Sequence, residues 1–262
     1  MKRIFLAVSL LAFSTITTAK SPCDPLVPYG YPTTNFKSQT LCRTSYLQLH
    51  NNDAKTGGIS FQYLTPSTVG TGNEPRTNNF RADVEVPRES RATPKEYEGT
   101  GYDRGHIAPA GDMQEDGKSM SQSFFMSNMA PQHPNLNRGI WRGLETLVRN
   151  WTVKQNRNLF VITGTAYLER PTCLPVSKPC SAGDGLVWIP DAFYKVIIDK
   201  DNQDAVAFII PHEQGNFKKL VDYRITIADL QKIIGVDLIP SANPAIKQKL
   251  LTATGSTFPN RL

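Results

Sequence analysis

Four consecutive residues, Asp103-Arg104-Gly105-His106, bring a carboxylate, a guanidinium, a residue without a side chain and an imidazole into one short span. An imidazole is the side chain whose ordinary pKa lets it take a proton from water near pH 7. A guanidinium keeps its charge throughout that range and offers a planar fork that matches phosphate oxygens. Together they suit proton abstraction beside an oxyanion. The same residues also have a plainer use: Asp103 holding a turn, Arg104 solvated, Gly105 supplying a positive φ and His106 a satisfied half-buried ring.

The residues downstream favour chemistry. Residues 127–145 (SNMAPQHPNLNRGIWRGLE) place Asn137 at the start of an amphipathic stretch and Glu145 eight residues on. A neutral amide oxygen can ligate a hard cation such as Mg²⁺, which keeps several waters and needs few protein ligands. On one continuous helix, Glu145 would project about 80° around the axis and roughly 12 Å along it, outside the ion's first shell and within reach of its waters. Taken alone, Asn137 also reads as an N-cap worth about 1 kcal/mol, and Glu145 as a solvated helix face. The other histidines are weaker candidates. His50 lies in a polar loop, His133 in a proline-flanked turn, and His212 heads HEQG, without the second histidine of a zinc helix. All three read as surface residues.

The elements that must position these groups are set by periodicity. Residues 20–56 read as a largely irregular arm with a strand or helix fragment at 46–49, and residues 59–64 (ISFQYL) as a strand. The polar segment 65–102, broken by Pro66, Pro75, Pro87 and Pro94, is long enough to imply a function. Residues 123–129 (SFFMSNM) resemble a short strand, and 137–154 a helix with one apolar stripe from Ile140 to Trp151. A buried strand is expected at 159–163, a hairpin from 188–199 and 205–211 around Asp201-Asn202, and short helices at 227–234 and 244–251. These elements predict an α+β domain: a central, mostly antiparallel sheet flanked by helices.

Residues 1–19 read as a signal peptide, with Lys2 and Arg3 ahead of an apolar run and small residues at Thr17-Thr18-Ala19, followed by one domain over 20–262. The run is shorter than a membrane span requires, so the expected location is secreted or periplasmic. Cleavage would take 29 basic residues to 27 against 23 acidic ones, a net charge of +4, compatible with a polyanionic partner without identifying one. Cys23, Cys42, Cys173 and Cys180 then read as two disulfides, the local pairings Cys23 with Cys42 and Cys173 with Cys180 being favoured among three connectivities. A zinc site is disfavoured, since no C-x-x-C occurs and no histidine lies near either pair. The G-x-S-x-G of a serine hydrolase does not occur either.

DRGH followed by IAP, SNMAPQ at 127–132, LNRG-W at 136–141 and Leu144-Glu145, with ITGTAYL at 162–168 and WIPDAFYKVI at 188–197, closely resembles the DNA/RNA non-specific endonucleases. These are sugar-non-specific ββα-metal nucleases, and the likeness extends over most of the chain. The resemblance implies His106 as general base, Asn137 as direct ligand of Mg²⁺ (with Mn²⁺ a candidate substitute), and Glu145 holding water at the ion. It implies Arg104 on the phosphate, Asn128 hydrogen-bonded beside the site, and Arg76 near the phosphate, with Arg81 an alternative. Asp103 and Gly105 would shape the motif, one bonding backbone donors and the other relieving a turn. DNA and RNA are the implied partners, gripped through phosphates and therefore salt-sensitive. A binding protein that keeps the fold without catalysis is the competing class, and intact His106 and Asn137 argue against it. Dimerisation and any inhibitor protein stay open.

Overall fold

The computed structural model describes residues 21–169, 172–174, 180–213 and 217–259, so the signal-peptide expectation lies outside the described residues. The N-terminal arm is less irregular than its composition suggests. It holds β1 (Ser38–Cys42) and β2 (Leu47–Asn51), which pair with each other and then with β3 (Thr56–Leu64). Every residue of β2 is buried, including Gln48, His50 and Asn51, and those polar types disguise the strand in the sequence. The long segment 65–102 carries α1 (Pro66–Val69) and two 3-10 turns but no strand.

The DRGH motif is itself a strand, β4 (Asp103–His106), followed by α2 (Gly117–Ser123) and β5 (Met129–Gln132). β4 and β5 form a separate two-stranded antiparallel sheet with His106 opposite Met129. Residues 123–129 are thus the end of α2 and a 3-10 turn (Met126–Asn128); the expected strand begins where that segment stops. The helix expected over 137–154 is broken as well. Leu136–Trp141 is a wide π-type turn, non-helical at Gly139 (φ −102°, ψ −113°), and only α3 (Arg142–Lys154) is regular.

β6 (Leu159–Ala166) pairs with β3, and β7 (Thr172–Leu174) with β8 (Val187–Ile189) in a third small sheet. β9 (Ala192–Asp199) and β10 (Asp204–Pro211) form the expected hairpin, with Trp188 assigned to β8 instead. β11 (Arg224–Ile225), α4 (Ile227–Ile234) and α5 (Pro244–Thr252) complete the order. Gly235 ends α4 in the left-handed conformation (φ 68°), as its position predicts. The main sheet runs β1-β2-β3-β6-β9-β10-β11, antiparallel throughout.

Strand alternation gives this sheet two apolar faces. Ile162, Val196, Ile198 and Ala207 pack with Leu230 and Ile234 of α4 and Leu250 of α5. Val161, Ile197, Val206 and Phe208 pack with Trp141, Leu144, Val148 and Trp151. That second layer sets α3, and with it the chemistry, on one face of the sheet. Cys23–Cys42 and Cys173–Cys180 are both bonded. Among the described residues no helix is long and apolar enough to cross a membrane.

Candidate active site

In β4, alternation puts Arg104 and His106 on one face and Asp103 and Gly105 on the other. Gly105 serves close approach and not a positive φ: a Cβ there would come within 2.3 Å of Gln132 Oε1 across the ladder. The His106 ring packs edge-on against Phe124 (5.0 Å between centroids) and Phe80 (5.9 Å). The same rings carry cations, with Arg104 lying 4.5 Å over Phe80 and Arg76 lying 4.8 Å over Phe124. These two phenylalanines escape a reading of the sequence, because contact between rings 44 residues apart leaves no local period. Only the paired aromatics in SFF hint at one of them.

His106 is buried, and its Nε2 has no hydrogen-bond partner among the described residues. Burial first, and then the Arg76 guanidinium, push its pKa down to about 3, which leaves the ring neutral at physiological pH. Next to it, Asn128 is fully buried. Its Oδ1 accepts from Ala108 N (2.9 Å), and its Nδ2 donates to Ala108 O and Ser123 O (2.9 Å each). Asn128 therefore fixes the backbone just beyond His106.

Asp103 binds side chains where backbone donors were expected. Its Oδ2 accepts from Asn137 Nδ2 (2.8 Å), and both its oxygens accept from the Arg138 guanidinium (2.9 and 2.6 Å). With Nδ2 committed, the Asn137 amide keeps its oxygen as the group to offer a cation. The break at Gly139 removes the continuous helix on which the Asn137-to-Glu145 spacing was reckoned. Both residues nonetheless line one cleft of about 310 Å³ together with Arg76, Arg104, His106 and Arg149. Arg81 is turned elsewhere, over Phe125 and donating to Ser121 O, so of the two arginines it is Arg76 that lines the cleft.

Glu145, half-buried on α3, has its pKa raised to about 7 by burial and by the Asp112 carboxylate, against the lowering fields of Lys195, Arg149 and Arg76. Lys195, which no sequence motif singles out, is buried, donates to Thr163 Oγ1 (2.5 Å) and lies 5.1 Å from the Trp141 ring centre. Arg149 is tied to Asp112 (3.0 Å).

The remaining histidines depart from expectation. His50 is fully buried, with Nε2 2.9 Å from Ser90 O, because it sits in β2 and not in a loop. His133 and His212 are half-buried and hydrogen-bonded to one another through the His133 amide. Among the described residues, one cluster of metal-binding side-chain types occurs, Cys173, Cys180 and Asp184, and its thiols are consumed in a disulfide.

A neutral imidazole, an amide oxygen, a carboxylate and several arginines around one cleft, on a hairpin and helix laid across an antiparallel sheet, define a nuclease of the ββα-metal class. The chain superposes on a chain in the crystal structure of the EndoG/EndoGI complex with a TM-score of 0.75 and 25% identity, covering 92% of this chain and 99% of that one. It is 32% identical to Nuclease C1 of Cunninghamella echinulata var. echinulata over 88% of this chain and 94% of the relative. Against human mitochondrial Endonuclease G it is 34% identical over 66% of this chain and 58% of the relative. Residues 24–244 match the DNA/RNA non-specific endonucleases, and the chain belongs to that family of divalent-metal-dependent nucleases.

Proposed function

We propose that this chain is an exported Mg²⁺-dependent endonuclease that hydrolyses phosphodiester bonds of DNA and RNA with little sequence preference, with His106 as general base and Asn137 as the direct protein ligand of the ion. The observation that carries the reading is the buried Nε2 of His106, without a hydrogen-bond partner among the described residues, in a cleft shared by Asn137, Glu145 and arginines.

The donor set fits a hard divalent cation. Asp103 accepts from the Asn137 nitrogen, which leaves the amide oxygen as the atom of that side chain able to ligate a cation. Glu145 is a carboxylate whose ionised form is under-compensated by its cationic neighbours, a deficit that a nearby 2+ charge would relieve. Mn²⁺ accepts the same oxygen ligands. When bound, such an ion stabilises the charge that develops on the leaving oxygen.

His106 takes the proton from water as the water oxygen attacks phosphorus, and the P–O3′ bond breaks on the opposite side. The Phe80 and Phe124 rings exclude solvent from the imidazole and fix its plane. Burial depresses the base most and Arg76 adds to it; a phosphodiester that neutralises Arg76 removes that second, smaller contribution when substrate arrives. Arg104, held over Phe80, binds a phosphate oxygen. Glu145 orients water, and Asn128 positions the His106 backbone. Grip through phosphates leaves base edges unread, which supports breadth of substrate and sensitivity to salt.

The leader-like residues 1–19 and the two disulfides support export. The test of activity is digestion of supercoiled plasmid and ribosomal RNA with Mg²⁺ or with EDTA, alongside His106→Ala. Cutting of both substrates only with metal, and orders of magnitude more slowly by the variant, is the expected result. Binding without cutting by wild type would overturn it. Mass spectrometry of the periplasmic or secreted protein, expected to begin near Lys20, tests export.

A further inference from the structure

The turn that carries Asn137 is held from behind by a histidine outside the cleft. His212 follows β10, and its own amide donates to Asp191 O (2.8 Å) at the corner before β9. Its Nδ1 lies 2.7 Å from Pro190 O, and its Nε2 lies 2.7 Å from the backbone nitrogen of His133. A carbonyl can only accept and an amide N–H can only donate, so these partners admit one arrangement. Nδ1 carries the proton and Nε2 offers its lone pair. The His133 carbonyl in turn accepts from Asn137 N (2.9 Å), and His133 Nδ1 accepts from Asn135 N (3.3 Å). Phe193 and Tyr102 close on the His212 ring edge-on at 5.3 and 5.6 Å.

We propose that His212 is a positioning residue for the Asn137 turn, locking the backbone of His133, and through its carbonyl the Asn137 backbone, to the β8–β9 corner of the molecule. The inference rests on the reading of Asn137 as metal ligand. Asp103 fixes the side-chain amide of Asn137 from one side; His212 fixes its backbone from the other. Leu136–Trp141 is a π-type turn broken at Gly139 and lacks the regular ladder that would otherwise set this geometry. Outer partners that orient a ligand typically contribute 10- to 100-fold in metal affinity.

Two measurements test it. In the wild-type protein, nitrogen NMR should show His212 as the Nδ1–H tautomer, with a scalar coupling across the hydrogen bond from His133 N to His212 Nε2. The opposite tautomer, or no coupling, overturns the proposal. Mn²⁺ titration followed by electron paramagnetic resonance should then show binding weakened about tenfold or more in His212→Phe, which keeps a ring between Tyr102 and Phe193 but removes both bonds. His212→Gln, which restores an acceptor near the Nε2 position, should recover most of the loss. Unchanged Mn²⁺ affinity in a folded His212→Phe protein overturns the proposal, and equal loss in the Gln variant does so too. If wild type binds no Mn²⁺, the reading of Asn137 as ligand fails instead. The lock is then judged by amide exchange at Asn137, faster in His212→Phe if the proposal holds and unchanged if it does not.

Discussion

The β4–β5 and β9–β10 hairpins are both antiparallel ladders, yet they are built on opposite principles. β9–β10 runs eight paired positions within the main sheet and is packed on both faces by aliphatic and aromatic side chains. β4–β5 has four pairs and carries a buried imidazole, a stacked guanidinium and a Gln132 whose amide is buried without partners among the described residues. Apolar packing is redundant, spread over many weak contacts. The site instead depends on a few specific bonds: one from Asn137 to Asp103 and a pair between Asn128 and Ala108. One hairpin supplies stability and the other spends some of it on chemistry.

The sharpest break of this contrast is His106→Ala. Losing the base proposed for the reaction should cost roughly 10²–10⁴ in kcat, while the thermal midpoint should stay within a few degrees; steady-state kinetics and calorimetry on one sample decide it. Ile198→Ala in β9, on the sheet face away from α3, should do the reverse, losing about 2–5 kcal/mol of stability by denaturant titration with kcat of the folded fraction unchanged. A large kcat change there would mean the two hairpins are not separable. Gly105→Ala tests the seam between them. With no room for a Cβ against Gln132, roughly 1–3 kcal/mol should be lost and activity should fall with it.

The depressed pKa of His106 makes a pH prediction. The unfolded chain binds a proton at this ring below about pH 6.5 that the folded protein refuses until about pH 3. Stability therefore rises with pH through that window, is fully present above it, and is lost as the pH falls. His106→Phe should flatten this part of a stability-against-pH curve; an unaltered slope would place the missing protons elsewhere. The smallest effect is expected at Arg142, exposed at the cleft rim. Replacing it with Ala should reduce the salt dependence of DNA binding by about one unit in log–log slope, measured by fluorescence anisotropy across a salt series.

Much of the site can be read from residue types, since Arg104, His106, Asn137 and Glu145 stand in motifs whose order survives without coordinates. The hairpin β9–β10, the buried strand β6 and the terminal helices are legible as apolar runs and a turn signal. What escapes is set by tertiary contact. Phe80 and Phe124 meet only across the fold. β2 hides behind buried Gln48, His50 and Asn51, whose polar character imitates a loop. The break at Gly139 is masked because apolar residues continue at helical spacing on both sides of it.

The bond from Asn137 to Asp103 also carries information. A side-chain amide has nearly the same outline either way round, so shape alone cannot tell a lone pair from an N–H₂ facing the cleft. Asp103, able only to accept, makes that choice for the turn. Replacing one atom of its carboxylate, as Asp103→Asn does, would leave every outline in place and let the amide turn over, so that a site of the right form would greet a cation with the wrong pole.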